Sequence, residues 1–262
     1  MSASYTSGFT IIETMLFLAV TGVLVVGILA GTGTSINIQR YRDSASSLKS
    51  LIEQQYADNS SVHNGERATA ISCDVNATVS SGGTLSRGQS DCVELGRYLT
   101  IDDNAATTTT IVGQEPATLP VGSDIEKLQA YKLSLLQTDT ITSSVQTPLE
   151  WGSRIAWPKS GAGSQTPTTP RWIGLLILRS PTSGLTYTFS SNDRPPAAST
   201  SYLHDMIIAG AADPNKGQSQ QRICVDSNGG FGGGLAVVIG AYASSASSLQ
   251  VRSNEMGDGS TC

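Results

Sequence analysis

A single carboxylate stands at the start of the most apolar stretch of the chain, where a buried charge needs a counter-ion. No charged residue lies between Glu13 and Arg40. Insertion scales put the cost of an acidic side chain in the middle of a bilayer at about 2.5–3.5 kcal/mol. Acidic residues kept in such surroundings usually have a partner, so the first functional question is which cation Glu13 meets.

The apolar stretch is residues 15–31, with the sequence MLFLAVTGVLVVGILAG. As a helix it covers about 26 Å, close to the hydrocarbon thickness of a bilayer. A secretory signal peptide is one interpretation. Two observations oppose it: the first eight residues carry no Lys or Arg, and the acidic Glu13 lies just before the apolar region, where signal peptides avoid acids. A plain membrane anchor fits the length and leaves Glu13 unexplained.

The residues just before this stretch support a third interpretation. The chain resembles type IV pilins and the pseudopilins of type II secretion in one motif, which leads directly into the apolar helix: Gly8, Phe9, Thr10, Ile11, Ile12 and Glu13. The resemblance implies that a membrane-embedded prepilin peptidase cuts between Gly8 and Phe9, and that the new terminus is N-methylated. The mature chain would then have 254 residues, which is 262 minus 8. The implied partners are the peptidase, other pilin subunits and a pilus assembly platform in the cytoplasmic membrane.

The chemistry of such a cleavage suits Glu13. It would create an ammonium group at Phe9, one helical turn away. Glu13 could then pair with its own terminus or with that of a neighbouring chain. In a bundle of such helices the intermolecular pair would neutralise two charges in a low dielectric, whereas an unpaired Glu13 would be strongly penalised. The pair would therefore set the axial register between subunits, as a buried polar group does in a coiled coil.

The leader departs from the family pattern, because residues 1–7 contain no Lys or Arg. The nearest cations, Arg40 and Arg42, follow the apolar stretch, so the positive-inside rule alone would place the globular part in the cytoplasm. The cysteines and the resemblance favour the opposite orientation.

One long helix is expected over residues 9–57, about 70 Å in length. Its first half, with residues 15–31 in the membrane, would stand in lipid or in a fibre core. In its second half, apolar residues recur at three- and four-residue spacing, which predicts a face packed under a globular head: Tyr41, Ala45, Leu48, Leu51, Ile52 and Tyr56.

Glycines interrupt the apolar half at Gly22, Gly27 and Gly31, with Gly33 just beyond. Each costs about 1 kcal/mol relative to Ala in a helix interior. Three explanations are open. Gly27 and Gly31 form a small-xxx-small pair that would let helices approach closely. The glycines could instead mark a place where the helix unwinds during assembly, or simply reflect the composition of membrane helices.

After a leader of residues 1–8 and the helix, residues 58–262 are expected to form a β-rich head. Turn-forming stretches separate its strand-like runs, at residues 93–101, 107–112, 172–178, 185–189, 222–225 and 235–241. Residues 128–136 are ambiguous, because Ser123 and Glu126 could cap a short helix while the alternation from Tyr131 to Leu135 favours a strand, which we prefer. The predicted fold class is α+β, with an antiparallel sheet packed on the distal half of the helix.

The cysteines indicate disulfides rather than a metal site. They are Cys73, Cys92, Cys224 and Cys262, with no C-x-x-C pair, and the only histidines are His63 and His204. An even count beside a membrane segment fits an oxidising compartment, and of three pairings we prefer the local ones, Cys73–Cys92 and Cys224–Cys262. Each would contribute about 3–4 kcal/mol in the chain-entropy model. Four reduced cysteines are the alternative. Pilin heads commonly carry a disulfide-closed loop near the carboxyl end, and the spacing of Cys224 and Cys262 is similar.

Composition and motifs argue against several other functions. The formal net charge is −5 and no basic cluster is visible, so no nucleic-acid partner is expected. The glycine-rich tract at residues 229–234 lacks the Lys-Ser/Thr of a phosphate loop. With no nucleophile elbow and no acid–base pair, we expect no catalytic residue, cofactor or metal, and no enzyme. For Trp151, Trp157 and Trp172, core packing or strand anchoring is favoured over a binding platform.

Three functions remain in competition. The first is a structural subunit of a type IV pilus-like filament, held in the cytoplasmic membrane before assembly and at the cell surface after it. The mature length is generous for a major pilin and favours a minor subunit. The second is a pseudopilin of a type II secretion or DNA-uptake system. The third is a membrane-anchored extracytoplasmic binding protein or enzyme in which the motif is accidental.

Overall fold

The computed structural model describes residues 10–60, 71–81, 92–137, 143–160, 170–195, 198–226, 234–253 and 260–262. Its helices are α1 (Ile11–Ser60), α2 (Asp124–Ala130) and α3 (Thr200–Met206), with short 3₁₀ turns at Glu150–Gly152 and Ala246–Ser248. The strands in this part of the chain are β1 (Ile71–Cys73), β2 (Val79–Ser81), β3 (Cys92–Asp102), β4 (Ala105–Gln114), β5 (Lys132–Leu135), β6 (Val145–Pro148), β7 (Arg154–Ala156), β8 (Lys159–Ser160), β9 (Trp172–Arg179), β10 (Thr186–Ser191), β11 (Lys216–Gly217), β12 (Gln221–Asp226), β13 (Leu235–Ile239), β14 (Leu249–Ser253) and β15 (Ser260–Thr261).

Helix α1 has 50 residues and is therefore roughly 75 Å long. Only its distal part, from Tyr41 onward, packs on the head. The predicted apolar face is confirmed, because five of its six residues are buried and Leu51 is partly buried against the same core. Two polar residues, Ser44 and Gln55, are also buried on this face. Sequence periodicity did not point to them.

The head is built from antiparallel sheets, so the predicted α+β class is confirmed. Within the described residues, the larger sheet has the order β11-β10-β9-β3-β4-β5, with β6 also pairing with β4. A second sheet has the order β14-β13-β12-β7, and two small ribbons are formed by β1 with β2 and β8 with β15. Each of the six strand-like runs predicted from the sequence coincides with a strand, although β10 begins one residue later than predicted and β13 ends at Ile239, two residues earlier.

Helix α1 lies in the angle between the two main sheets. Apolar residues from one face of β3 and β9, and from one face of β12 and β13, close around it as one core. The opposite face of the larger sheet is covered by α2 and α3, which form a second core around Tyr98, Leu176 and Phe189. Strand β9 is consequently apolar on both faces, because it is a central strand buried on each side.

One position in the larger sheet has to be glycine because the backbones of β3 and β9 approach closely there. Strand β3 has an irregularity between Glu94 and Gly96 where it pairs with β4. A Cβ built on Gly96 would lie 1.9 Å from the carbonyl oxygen of Ile177. Only glycine allows β3 and β9 to approach this closely, so the position is set by packing.

The strand that we preferred for residues 128–136 is wrong for residues 128–130. These residues end α2, which begins at a capping box in which Ser123 Oγ accepts from Glu126 N–H and the Glu126 carboxylate accepts from Ser123 N–H. Leu128 is buried against the outer face of the larger sheet, and this burial also stabilises the helix. Only Lys132–Leu135 is a strand.

Candidate functional site in the exposed half of the long helix

The first half of α1 is not buried against the head, and Arg40 at its end contacts the ring of Trp151. Every residue from Thr10 to Arg40 is exposed, apart from the half-buried Thr21. The large apolar side chains from Ile11 to Leu29 have exposed fractions between 52% and 80%. α1 is the one described helix long and apolar enough to cross a membrane, judged by length and composition. A bare apolar rod of this kind needs either lipid or other helices around it.

The threonine hydroxyl groups of this half-helix, from Thr14 to Thr34, are satisfied locally. The hydroxyl groups of four threonines donate to carbonyl oxygens three or four positions earlier, at 2.8–3.1 Å: Thr14, Thr21, Thr32 and Thr34. Such bonds remove the cost of placing a hydroxyl in hydrocarbon. The half-helix is therefore suited to an apolar environment even where its sequence is not purely apolar.

The carboxylate of Glu13 has no such local partner. Its backbone N–H donates to Thr10 Oγ1 at 3.3 Å and to Thr10 O at 3.1 Å, which caps the helix. Its carboxylate makes no hydrogen bond or ion pair with any residue that the structure describes. Thr10 was named from the sequence as part of the motif and not as a helix cap, although the Thr-x-x-Glu spacing is that of a helix start. Gly8 and Phe9, the predicted processing site, lie outside the described residues.

The glycines of the half-helix lie in open space. A Cβ at Gly22, Gly27 or Gly31 would meet nothing within 4 Å, and α1 is continuous through all three. Gly31 follows Glu13 by 18 positions, which is about five turns, so the two lie on the same side of the helix. Gly27 lies close to that side as well, and Gly22 lies on the opposite side. The carboxylate and the Gly27–Gly31 pair thus share one face.

The exposed half meets the head at a compact junction. Tyr41 Oη donates to Val225 O at 2.8 Å and accepts from Leu235 N–H at 2.6 Å. One turn further on, Ser44 Oγ donates to Ser153 Oγ at 2.6 Å in a buried contact. These bonds tie the helix to the ends of β12 and β13 and to the loop before β7, and they fix the direction in which the bare half leaves the head.

Trp151 lies beside this junction and not in the core. Its side chain is 58% exposed, and the guanidinium carbon of Arg40 is 5.0 Å from the centroid of its ring. Its backbone has φ 58° and ψ 22°, a left-handed conformation that costs a bulky residue of order 1–3 kcal/mol. The core placement expected for Trp151 is therefore wrong. Trp157 packs under Arg171, and Trp172 meets the ring of Tyr202 edge-on.

Both preferred disulfides are present. Cys73 and Cys92 have Cα atoms 5.3 Å apart, and Cys224 and Cys262 have Cα atoms 5.4 Å apart. The second disulfide attaches the carboxyl-terminal residue to the middle of β12. Cys262 is buried there with Ala156, Ala236 and Val238. This bond covers the outer face of the second sheet.

The described residues contain no group of three or more His, Cys, Asp or Glu side chains placed to hold a metal ion. Comparisons of the chain with protein-family models, with characterised proteins and with solved structures gave no match.

Proposed function

We propose that this protein is a structural subunit of a type IV pilus-like filament, assembled through the exposed half of α1. The observation that carries the proposal is the state of Glu13: a lone carboxylate, without a partner among the described residues, on a half-helix that is otherwise bare and apolar. Both the apolar half-helix and the unpartnered acid are expected in a subunit whose helix is buried among copies of itself. Packing between helices covers the apolar surface, and a cation from a neighbouring subunit neutralises the acid.

The Gly8–Glu13 motif supplies that cation in the proposed scheme. Prepilin peptidase would cleave after Gly8 and leave an ammonium group at Phe9. Glu13 of one subunit would then pair with Phe9 of the next, which sets the axial register. The face shared by Glu13, Gly27 and Gly31 suits this arrangement, because a neighbouring helix that approaches the glycines also passes the carboxylate.

The disulfides support a head outside the cytoplasm, where oxidised cysteines persist. The subunit would wait in the cytoplasmic membrane as a single-pass protein, would be extracted by an assembly platform in that membrane, and would end in a filament at the cell surface. In this scheme the head has a structural and contact role and no catalytic one.

The amino terminus of the mature protein tests the processing step. Mass spectrometry of the native protein should give a chain that begins at Phe9 and carries a methyl group on its amine. A mature chain that still contains residues 1–8 would remove the cation from the scheme and with it the proposal.

A substitution at Glu13 tests the assembly step. Glu13→Val should leave membrane insertion intact and strongly reduce the yield of filaments. The matched control is Glu115→Val, which removes a carboxylate from an exposed position on the head. The described residues contain no free cysteine, so single cysteines introduced near Phe9 and Glu13 can report crosslinks between subunits. Normal crosslinking and filaments in Glu13→Val would favour a membrane-anchored binding protein in which the motif is accidental.

A further inference from the structure

The loop between β6 and β7 presents a tryptophan at the level where the bare half of α1 ends. Both ends of the loop are fixed: Leu149 N–H donates to Asn104 O at 2.8 Å, and Ser153 is buried against Ser44. Between these ends, Glu150, Trp151 and Gly152 are all exposed. The loop therefore holds an aromatic ring outward on a rigid base.

The conformation of this loop is costly, and packing does not account for it. Trp151 and Gly152 both have positive φ, at 58° and 67°. A bulky residue rarely adopts this conformation, and strained positions of this kind often serve a contact. Within the structure the ring contacts Arg40, whose guanidinium lies over its face.

The cations at this level are Arg40 and Arg42. Both are exposed, and neither forms an ion pair with any residue in the described ranges. The acidic residues nearest to them along the helix and the loop are Asp43 and Glu150, also exposed. The collar formed by Arg40, Arg42 and Trp151 thus combines an exposed aromatic ring with two exposed guanidinium groups, one of which lies over that ring.

The position of the collar along α1 matches the surface of a bilayer. A hydrocarbon layer of about 30 Å that begins at Met15 ends near Thr34, about 20 residues later. Arg40 lies about 9 Å further, and the headgroup layer adds roughly 5–8 Å on each side. Helical side chains lean towards the amino terminus, so that layer is within the length of the Arg40 side chain. Tryptophan is enriched at the same depth in membrane proteins.

We infer that the Arg40, Arg42 and Trp151 collar docks the head on the lipid headgroup layer of the bilayer that holds α1, with the arginines on lipid phosphates and the ring at the interface. The inference rests on membrane insertion of α1 and does not depend on filament assembly. It gives the membrane-inserted subunit a defined head orientation, which extraction into any assembly would have to break.

The experiment uses the full chain in vesicles of phosphatidylcholine with a minority of phosphatidylglycerol. A nitroxide is attached at Glu150→Cys or, as a distant reference, at Val121→Cys, in the loop that leads to α2 at the far end of the head. Collision rates with oxygen and with a water-soluble nickel chelate then report the depth of each label. The label at residue 150 should lie at the phosphate level, and the label at residue 121 should be in water.

Two substitutions separate docking from folding. Trp151→Gly removes the ring and relaxes the backbone, because glycine accepts positive φ. Its matched control is Tyr242→Gly. Tyr242 is also an aromatic residue with positive φ, at 56°, and its side chain is 59% exposed. It follows the carboxyl end of β13, whereas Tyr41 contacts the amino end of that strand. Trp151→Gly should move the label at residue 150 into water, and Tyr242→Gly should leave it in place. Arg40→Gln should lower the ratio of docked to undocked heads by about fivefold.

A label at residue 150 that is fully aqueous in the unsubstituted chain, or that stays at the phosphate level in Trp151→Gly, would overturn the inference. So would a Trp151→Gly variant that loses crosslinks between subunits without any change in label depth, because the ring would then contact a neighbouring subunit and not lipid. Failure of the Glu13 and Phe9 experiments would leave this inference untouched.

Discussion

Buried hydroxyl groups on α1 hold the long helix in register with the head at single-residue precision. Tyr41 bonds backbone groups at the ends of β12 and β13, and Tyr56 Oη lies 2.8 Å from Thr188 Oγ1 in β10. A helix that packed through apolar contacts alone could slide along its own axis at low cost. Each hydroxyl has one geometry in which it is satisfied, so the pair defines the register.

Tyr41→Phe should destabilise the head by about 1–3 kcal/mol, because it leaves the half-buried N–H of Leu235 and the carbonyl of Val225 without their bonds to the Tyr41 hydroxyl. The measurement is urea unfolding of the full chain in detergent, followed by far-UV circular dichroism. Tyr242→Phe makes the same chemical change at a side chain that is 59% exposed, and it should alter the unfolding free energy by less than about 0.5 kcal/mol. Equal effects of the two substitutions would show that the Tyr41 bonds do not contribute.

Tyr56 should make the protein sensitive to alkali. Burial raises the pKa of Tyr56 to about 12, from an ordinary value of 10.0. The folded state therefore favours the neutral phenol, and its stabilising contribution is complete below pH 10 and lost as the pH rises through 12. The loss is about 2–3 kcal/mol.

Burial also raises the pKa of Tyr41, Tyr98 and Tyr131, so the unsubstituted chain should lose stability over the same range for several reasons. Tyr56→Phe should have a shallower fall in unfolding free energy between about pH 10 and 12, measured by urea titration at each pH. Identical slopes would show that Tyr56 is not held neutral by the fold.

At the scale of elements, a buried arginine joins the two main sheets. The guanidinium of Arg171 donates to the carbonyl oxygens of Ala156 in β7 and Arg222 in β12, and to Asn192 Oδ1 just after β10. Its side chain is 2% exposed and stacks on Trp157, and burial lowers its pKa to about 10. No carboxylate within the described ranges pairs with it. The full positive charge of Arg171 is therefore stabilised by hydrogen bonds to neutral oxygens from three parts of the head.

Arg171→Lys should destabilise the head by about 2–3 kcal/mol, because a single ammonium group keeps the buried charge and cannot reach acceptors on all three elements. Arg194→Lys is the matched control at a side chain that is 64% exposed and pairs with Asp102. It should change the unfolding free energy by less than about 0.5 kcal/mol. If urea unfolding gave both variants the stability of the unsubstituted chain, Arg171 would not act as a clamp between the sheets.

The elements that sequence reasoning found are those with a local signal. The buried face of α1 follows from the spacing of Tyr41, Leu48 and Ile52, and β9 follows from a run of apolar residues. Local competition explains the error at residues 128–136, where the capping box outweighs the alternation that begins at Tyr131. Helix α3 and the short edge strands were missed because their signals are no stronger than those of ordinary loops.

Single residues, like the elements, could be found from the sequence only where their role depends on local sequence. The lone carboxylate of Glu13 could be found because it depends only on the absence of other charges along one helix. Trp151 and Arg171 could not, because their roles depend on partners such as Arg40 and Arg222 that are far away in the sequence. No spacing rule connects such residues before the sheets are assembled.

At the scale of the whole molecule, the head and the exposed half of α1 are energetically separate. From Thr10 to Gln39 the exposed half is not buried against the head, and the residues of the two head cores come from Tyr41 onward. A change in the exposed half should therefore act on what surrounds the helix and not on the stability of the head. This separation makes the roles of the glycines measurable.

The double substitution Gly27→Leu with Gly31→Leu should leave urea unfolding of the head unchanged within about 0.5 kcal/mol. It should weaken self-association of the full chain in vesicles by about tenfold, because bulky side chains on the Glu13 face keep neighbouring helices apart. Energy transfer between labelled chains measures the association. Gly22→Leu adds the same side chain on the opposite face and should have little effect. Equal weakening by both variants would show that the Glu13 face is not the packing face.

The double substitution Gly27→Ala with Gly31→Ala separates packing of the helices from local unwinding of α1. It keeps the face small and stabilises the helix by about 1 kcal/mol at each position, so it should preserve association in vesicles. If it nevertheless blocked filament formation in cells, local unwinding of α1 would be the step that these glycines serve.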